Sequence, residues 1–311
     1  MRRGAGTGRR VRRIEDLDRT HRCGAVGAVS WLHPRDATTA RTRSHTTVAV
    51  RCDVVRGRVH YHEEGQGRAE ILIDVDGILG NRVDPPYSAV DVELEDGRIT
   101  PPTWNEDRLV FVSAPRDPLR AATFDDERDA YEAQLRALLR TQLGATEVVV
   151  FDHTLRAEDG GFRPPSYHVH CDYNAWSART RLQALLGRET AAGWSEGHFA
   201  VVNVWRPLGG PVVRAPIGFV RPCSVDPSDW LDVDIVFPDR RGQVRGLRHD
   251  PAHRWVYLPR MDLDEAAVFA TYVSEGIDGI AHAAVELDSI PANAPPRHSI
   301  ESRAFVRWGT R

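Results

Sequence analysis

Residues 167–172 read Tyr167-His168-Val169-His170-Cys171-Asp172, the densest run of metal-capable side chains in the chain. Side chains alternate along a strand, so an extended backbone here turns His168, His170 and Asp172 to one face. The pair His170-x-Asp172 can give two adjacent ligands to one ion. A distant histidine would complete a set of two histidines and one carboxylate, which leaves coordination positions open. A pair of partly exposed strand residues gives the same short pattern, so the surroundings must decide.

Other metal and hydrolase patterns are not met. A cupin-type site would read His168-x-His170 with a glutamate a few residues on, where this chain has Asn174 and Ala175. There is no His-Glu-x-x-His on a helix and no Gly-x-Ser-x-Gly, the marks of a zinc peptidase and a serine hydrolase.

Outward from this run, the second half of the chain is rich in short β-type segments. They fall at residues 198–206, 212–220, 232–237, 254–258, 280–287 and 300–308, with a helix expected over 264–272. Upstream, Tyr131, Leu135, Leu138, Leu139 and Leu143 fall on one helical face that starts near Thr123 or Asp125 and ends at Gly144. A strand over 147–151 follows, and a shorter helix is expected over 178–186. Strands of uneven spacing with helices outside them predict a mainly β fold with flanking helices, a jelly-roll or double-stranded β-helix. No Gly-x-Gly-x-x-Gly opens a strand–helix unit, which weakens a dinucleotide-binding fold.

Residues 1–45 read as a disordered Arg-rich tail, and 46–311 as a single domain. Within it, 46–120 is a β-rich cover, with runs at 69–75, 89–94 and 109–112, and 121–311 holds the helices and the barrel. The first 50 residues carry 11 arginines and 4 acids, yet no downstream basic groove or reading motif supports a nucleic-acid partner.

The 311 residues carry 41 Lys+Arg against 44 Asp+Glu, and every one of those basic residues is arginine. Without an amine side chain, Schiff-base chemistry, a pyridoxal-phosphate anchor and a P-loop lysine are excluded. No apolar run reaches the length of a membrane span. Cys23, Cys52, Cys171 and Cys223 lie far apart with no Cys-x-x-Cys pair. The expectation is therefore a reduced, cytoplasmic protein without a disulfide scaffold or structural zinc.

Five histidines follow Asp172: His198, His249, His253, His282 and His298. His282 stands apart, inside the small apolar run Ile280-Ala281-His282-Ala283-Ala284-Val285. An arginine-bearing strand, Ile300-Glu301-Ser302-Arg303-Ala304-Phe305, follows shortly. A dicarboxylate beside a metal needs a guanidinium fork for its far end, and without lysine that group must be arginine or a neutral donor.

Several ordered motifs between about Asp107 and Arg307 now carry a resemblance. They are Phe151-Asp152-His153-Thr154 with Arg156, Val169-His170-Cys171-Asp172, and Asn203-Val204-Trp205-Arg206-Pro207-Leu208. Later come Pro251-Ala252-His253-Arg254-Trp255, Tyr257-x-Pro259-Arg260-Met261 and Ala294-Pro295-Pro296-Arg297-x-Ser299-Ile300-Glu301-x-Arg303. Together they resemble the CmcJ/NvfI-type non-haem iron(II)/2-oxoglutarate-dependent oxygenases, a family that includes a cephamycin-pathway hydroxylase, gibberellin-desaturase-like proteins and an endoperoxide-forming enzyme. The chain departs from the family's His-Thr-Ala-Phe at His282-Ala283-Ala284-Val285. It also departs at Ala270, Val273 and His298.

The resemblance implies Fe(II), 2-oxoglutarate and O₂, with His170, Asp172 and His282 as the metal ligands. Arg303 is the first choice for the 2-oxoglutarate carboxylate, with Arg206 and Arg297 as the other candidates. The implied reaction is hydroxylation, desaturation or related C–H oxidation of a small specialised metabolite, coupled to decarboxylation of 2-oxoglutarate to succinate. The implied partner is a small-molecule substrate, with no nucleic acid and no membrane; homo-oligomerisation is left open. Two alternatives remain at this point: a redox-inert metal hydrolase or isomerase on the same barrel, and a non-catalytic small-molecule binding protein.

Overall fold

A computed structural model of the chain describes residues 54–309, apart from 64, 66–68, 73–85, 116–118, 120–122 and 240. The expected tail at 1–45 lies outside these residues. The end of the run expected at 69–75 does too. Residues 50–311 cluster as one unit.

In chain order the unit begins with β1 (Val55–His62), β2 (Ala69–Leu72), β3 (Tyr87–Asp96), the single turn α1 (Trp104–Asp107) and β4 (Leu109–Ser113). Helix α2 (Phe124–Leu143), β5 (Glu147–Ala157), β6 (His170–Cys171), α3 (Ala175–Leu186) and α4 (Arg188–Ser195) follow. The remainder is β: β7 (Phe199–Pro207), β8 (Ile217–Val220), β9 (Trp230–Val236), β10 (Arg241–Leu247), β11 (Trp255–Tyr257) and β12 (Glu265–Val273). It ends with β13 (Ile277–Asp278), β14 (His282–Ala284), β15 (Glu286–Leu287) and β16 (His298–Arg307).

Two sheets result. The larger runs β15-β1-β3-β11-β8-β14-β6-β10-β9-β2; the smaller runs β13-β12-β7-β16-β5, with β4 added against β12. Their facing sides meet through one apolar cluster. Trp205 and Phe269 come from the smaller sheet, and Ile217, Phe219 and Val256 from the larger. This is the jelly-roll sandwich expected from the strand-rich second half.

The smaller sheet is covered on both sides, which explains why β7 is buried at every position. Ala200, Val202 and Val204 of β7 pack outward with Val268 of β12 and Ile300 of β16. Tyr131, Leu135 and Leu139 of α2 close that layer. Each such leucine, removed from water, contributes about 1.5–3 kcal/mol. Gly144 ends α2 at φ 65°, a left-handed conformation that costs glycine little. On the inner face Phe199, Val201 and Phe305 meet Ala178 and Leu182 of α3 and Trp194 of α4.

The helix expected over 264–272 is corrected: Glu265–Val273 form the buried strand β12. Glu265-Ala266-Ala267 has helical propensity, but the run continues through Val268, Phe269, Tyr272 and Val273 between β4 and β7, and two-sided packing decides. The segment at 188–195, not assigned from sequence, is helix α4. Among the described cysteines, Cys171 is a buried free thiol. No helix among the described residues is long and apolar enough to cross a membrane.

Candidate metal centre

Strand β6 is only two residues long, and it is held between β14 and β10. His170 is registered opposite His282 on one side and Gly246 on the other. The two imidazole centroids are therefore 4.5 Å apart. Just past β6 the chain turns into α3, capped by Asn174, whose side chain accepts from the Ser177 amide at 2.8 Å. That sharp turn leaves Asp172 at the strand's end, with Oδ1 3.6 Å from His170 Nε2.

The approach of β14 depends on a glycine. A Cβ at Gly279 would lie 2.3 Å from the Thr271 carbonyl oxygen and 2.6 Å from Cys171 Sγ. Only a hydrogen fits there. The segment then bonds through the Ile280 amide to the Ala270 carbonyl at 2.9 Å and delivers His282 two residues later.

One ligand atom each from His170, Asp172 and His282 lies within 4.8 Å of the others. Their remaining atoms are already committed. His170 Nδ1 bonds the His168 carbonyl at 2.7 Å, and His282 Nδ1 bonds the Ile280 carbonyl at 3.2 Å. Carbonyls only accept, so both imidazoles carry their proton on Nδ1 and turn an Nε2 lone pair inward. Buried His282 Nε2 has no hydrogen-bond partner. Asp172 Oδ2 accepts from Asn203 Nδ2 and Arg303 Nε, each at 2.8 Å, leaving Oδ1 toward the histidines.

The electrostatics agree with that geometry. Burial, reinforced by neighbouring His282, pushes the His170 imidazole down to about 4. Burial also lowers His282. Burial works to raise Asp172, but the Arg303 guanidinium and the two imidazoles outweigh it and hold the carboxyl well below the usual range. The cluster thus presents two neutral imidazoles and one carboxylate at neutral pH, the protonation states a divalent cation requires. A donor set of two nitrogens and one oxygen, with an orphaned buried Nε2, fits Fe(II).

The three arginine candidates separate. Arg206 bonds the Ala114 carbonyl at 2.8 Å, on the outward side of the smaller sheet, in phase with Val202 and Val204 and out of phase with Asn203. It is not brought to the cluster. Arg303 is brought there, but its guanidinium bonds Asp172, Asp152 at 2.6 Å, Thr154 at 2.9 Å and Glu301. Arg297 lines a small cleft shared with His170, His282, Trp205, Glu301 and Arg156. Its hydrogen bonds go to neutral acceptors, Ala215 carbonyl at 2.6 Å and Ser299 Oγ at 3.2 Å, and its guanidinium lies 5.2 Å from the Trp205 ring centroid. Burial, helped by the charge of Arg156, pushes Arg297 down to about 10.

Other histidines have ordinary partners. His253 bonds Tyr61 and Asp229, His298 bonds Asp159, and His153 bonds Ser302. The His168 ring stacks on Tyr87, while its carbonyl orients His170. Asn203 was given no role from sequence, although a lone amide in the apolar run Phe199–Trp205 is a signal.

Residues 64–307 match the family model described as "Oxidoreductase/YMDC permease-like domain". The chain belongs to that oxidoreductase family. Among curated proteins it is 32% identical over 189 residues to the Fe(II)/2-oxoglutarate-dependent dioxygenase nvfI of Aspergillus novofumigatus, covering 58% of this chain and 66% of that one. Aspirochlorine biosynthesis protein N of Aspergillus oryzae is 36% identical over 135 residues, covering 42% of this chain and 56% of that one. The chain thus spans somewhat less than two thirds of these two relatives. The hydroxylase/desaturase efuI of Hormonema carpetanum is 24% identical over 298 residues, covering 84% of this chain and 98% of its own. The solved structure of the iron and alpha-ketoglutarate-dependent endoperoxidase NvfI superposes with a TM-score of 0.73 at 25% identity, covering 82% of this chain and 98% of that one. The nvfI relative and the superposed structure are thus named as iron- and 2-oxoglutarate-dependent enzymes, and efuI as a hydroxylase/desaturase.

Proposed function

We propose that this oxidoreductase carries out Fe(II)/2-oxoglutarate-dependent oxidation of a small specialised metabolite, with His170, Asp172 and His282 holding the metal. The observation that carries the reading is the inward convergence of His170 Nε2, His282 Nε2 and Asp172 Oδ1, while each partner atom is tied elsewhere. Bound Fe(II), with 2-oxoglutarate and O₂, would supply the oxidising power for hydroxylation or desaturation, the co-substrate leaving as succinate.

The protein's part is binding and orientation. The cleft beside His170 and His282 is walled by Trp205 and carries the guanidinium of Arg297 with Arg156 close by. An incoming dicarboxylate would exchange its water for that fork. Arg297 already has its orientation fixed by the Ala215 carbonyl and Ser299, so little freedom is lost on binding. We therefore assign the far carboxylate to Arg297. The relatives named as an Fe(II)/2-oxoglutarate-dependent dioxygenase and a hydroxylase/desaturase do not favour a redox-inert hydrolase or a non-catalytic binder. Ferrous iron and 2-oxoglutarate coexist in a reducing compartment, which supports a cytoplasmic location.

The test is anaerobic addition of Fe(II) and 2-oxoglutarate to the purified chain. A visible charge-transfer band, followed by succinate on admitting O₂, is the expected result. A band-free protein that forms no succinate would remove the reading.

A further inference from the structure

We propose that Arg303 is a positioning residue for Asp172, acting with Asn203 to present one carboxylate oxygen to the metal, rather than a holder of the co-substrate. The proposal rests on the metal-centre reading above and assigns a task within it.

The sheet register makes the arrangement. Arg303 of β16 lies opposite Asn203 on one neighbouring strand and Asp152 on the other. All three sit on the inner side of the smaller sheet, the side that meets Asp172. Asp172 Oδ2 takes both donors, Arg303 Nε and Asn203 Nδ2, each at 2.8 Å. A carboxylate oxygen that already accepts two donors has little lone-pair capacity left for a cation. Oδ1 remains, facing His170 Nε2 at 3.6 Å. The donors thus choose which oxygen binds and fix the carboxylate plane.

The guanidinium is itself held from the far side. Asp152 Oδ2, Thr154 Oγ1 and Glu301 Oε1 take three of its four other N–H groups. Four oxygen partners occupy the fork, so no parallel pair of donors is left for an incoming carboxylate. The Arg297 guanidinium, in the same region, donates only to neutral acceptors. The partners that hold a ligand's second atom set metal affinity by about ten- to a hundredfold.

The experiment titrates metal-free full-length protein with Co(II) alone, without 2-oxoglutarate, following the visible Co(II) bands and the dissociation constant. Asp172→Ala, Arg303→Gln, Arg303→Lys and Asn203→Ala are compared with the unchanged chain. Arg303→Gln should bind Co(II) about ten- to a hundredfold more weakly and with altered bands. Arg303→Lys, which keeps one charged donor, should fall between. Asn203→Ala should weaken Co(II) in the same direction. At saturating Co(II), 2-oxoglutarate affinity should stay at the unchanged chain's value in the folded Arg303 and Asn203 variants.

Co(II) affinity and bands in Arg303→Gln equal to those of the unchanged chain would overturn the proposal. So would a selective loss of 2-oxoglutarate affinity at saturating Co(II). If Arg303→Gln does not fold, unaltered Co(II) binding in Asn203→Ala overturns it instead. A different failure marks the underlying reading: an unchanged chain that binds no Co(II), or Asp172→Ala that binds it normally, would remove the metal centre itself.

Discussion

His282 stands directly opposite His170 across the antiparallel pair β14–β6, and the two imidazole centroids are 4.5 Å apart. Neither strand is long enough to hold itself there: β6 has two residues and β14 three. The pairing depends on close backbone approach at Gly279. Gly279→Ala should therefore lower the thermal midpoint, because the new methyl meets the Thr271 carbonyl at 2.3 Å and overpacking of this kind costs about 1–3 kcal/mol. It should also weaken metal binding, since His282 is displaced with the segment. Thermal unfolding and metal titration on the same preparation check both effects. An unaltered midpoint with full metal affinity would show that the segment can yield without moving His282.

Metal content should separate the histidines by place, not by type. Alanine at 170, 172 or 282 removes a converging ligand atom and should leave the purified protein with little iron. Alanine at 298 breaks only the pair with Asp159 at 2.8 Å and should leave iron unaltered. Alanine at 168 keeps the carbonyl that orients His170, so it too should retain iron. Iron lost at 298 but kept at 282 would replace the third ligand.

Much of this was legible in the chain because period-2 alternation is local. His170 and Asp172 share a face, and the apolar runs of β7 and β16 read as buried strands. The same alternation held an unused signal: in Phe199–Pro207, Arg206 is in phase with Val202 and Val204 and so faces away from Asn203. A salt bridge of Arg303 with Glu301, two residues before it on the same strand, or with Asp152 could be read as an alternative. What could not be read is that Asp172 joins them on the guanidinium, because nothing local to either residue brings them together. Strand β12 was hidden for a related reason. Its alanines suit a helix in isolation, and only enclosure between β4 and β7 makes it a strand.

Arg297→Lys should weaken 2-oxoglutarate about tenfold or more, because an ammonium cannot supply two parallel donors and loses the contact with Trp205. Co-substrate titration of the metal-loaded protein reads this directly. Arg206→Lys should leave the affinity unaltered in whatever fraction folds, since Arg206 lies on the outer side of the sheet. Equal losses in the two variants would point to general destabilisation and withdraw the assignment to Arg297.

Stability should fall on mild acidification, and His153 is one source. Its ring packs edge-on to Phe124 and bonds Ser302 Oγ at 2.9 Å; burial lowers its pKa below the ordinary 6.5, despite the opposing pull of Glu132. Burial likewise lowers His253. A histidine whose folded pKa is depressed binds fewer protons when folded than when unfolded, so unfolding becomes easier as pH drops. The contribution is fully present above pH 6.5, erodes below it, and is gone once pH has fallen through the folded value. Urea unfolding of the metal-free protein between pH 7.5 and 5 should show this loss. His153→Gln removes the titrating ring while keeping a hydrogen-bonding side chain. It should be less stable than the unchanged chain at pH 7.5, because the fit against Phe124 is lost, yet its stability should decline less steeply toward pH 5. Parallel declines would show that the proton enters elsewhere, with His253 the next position to replace.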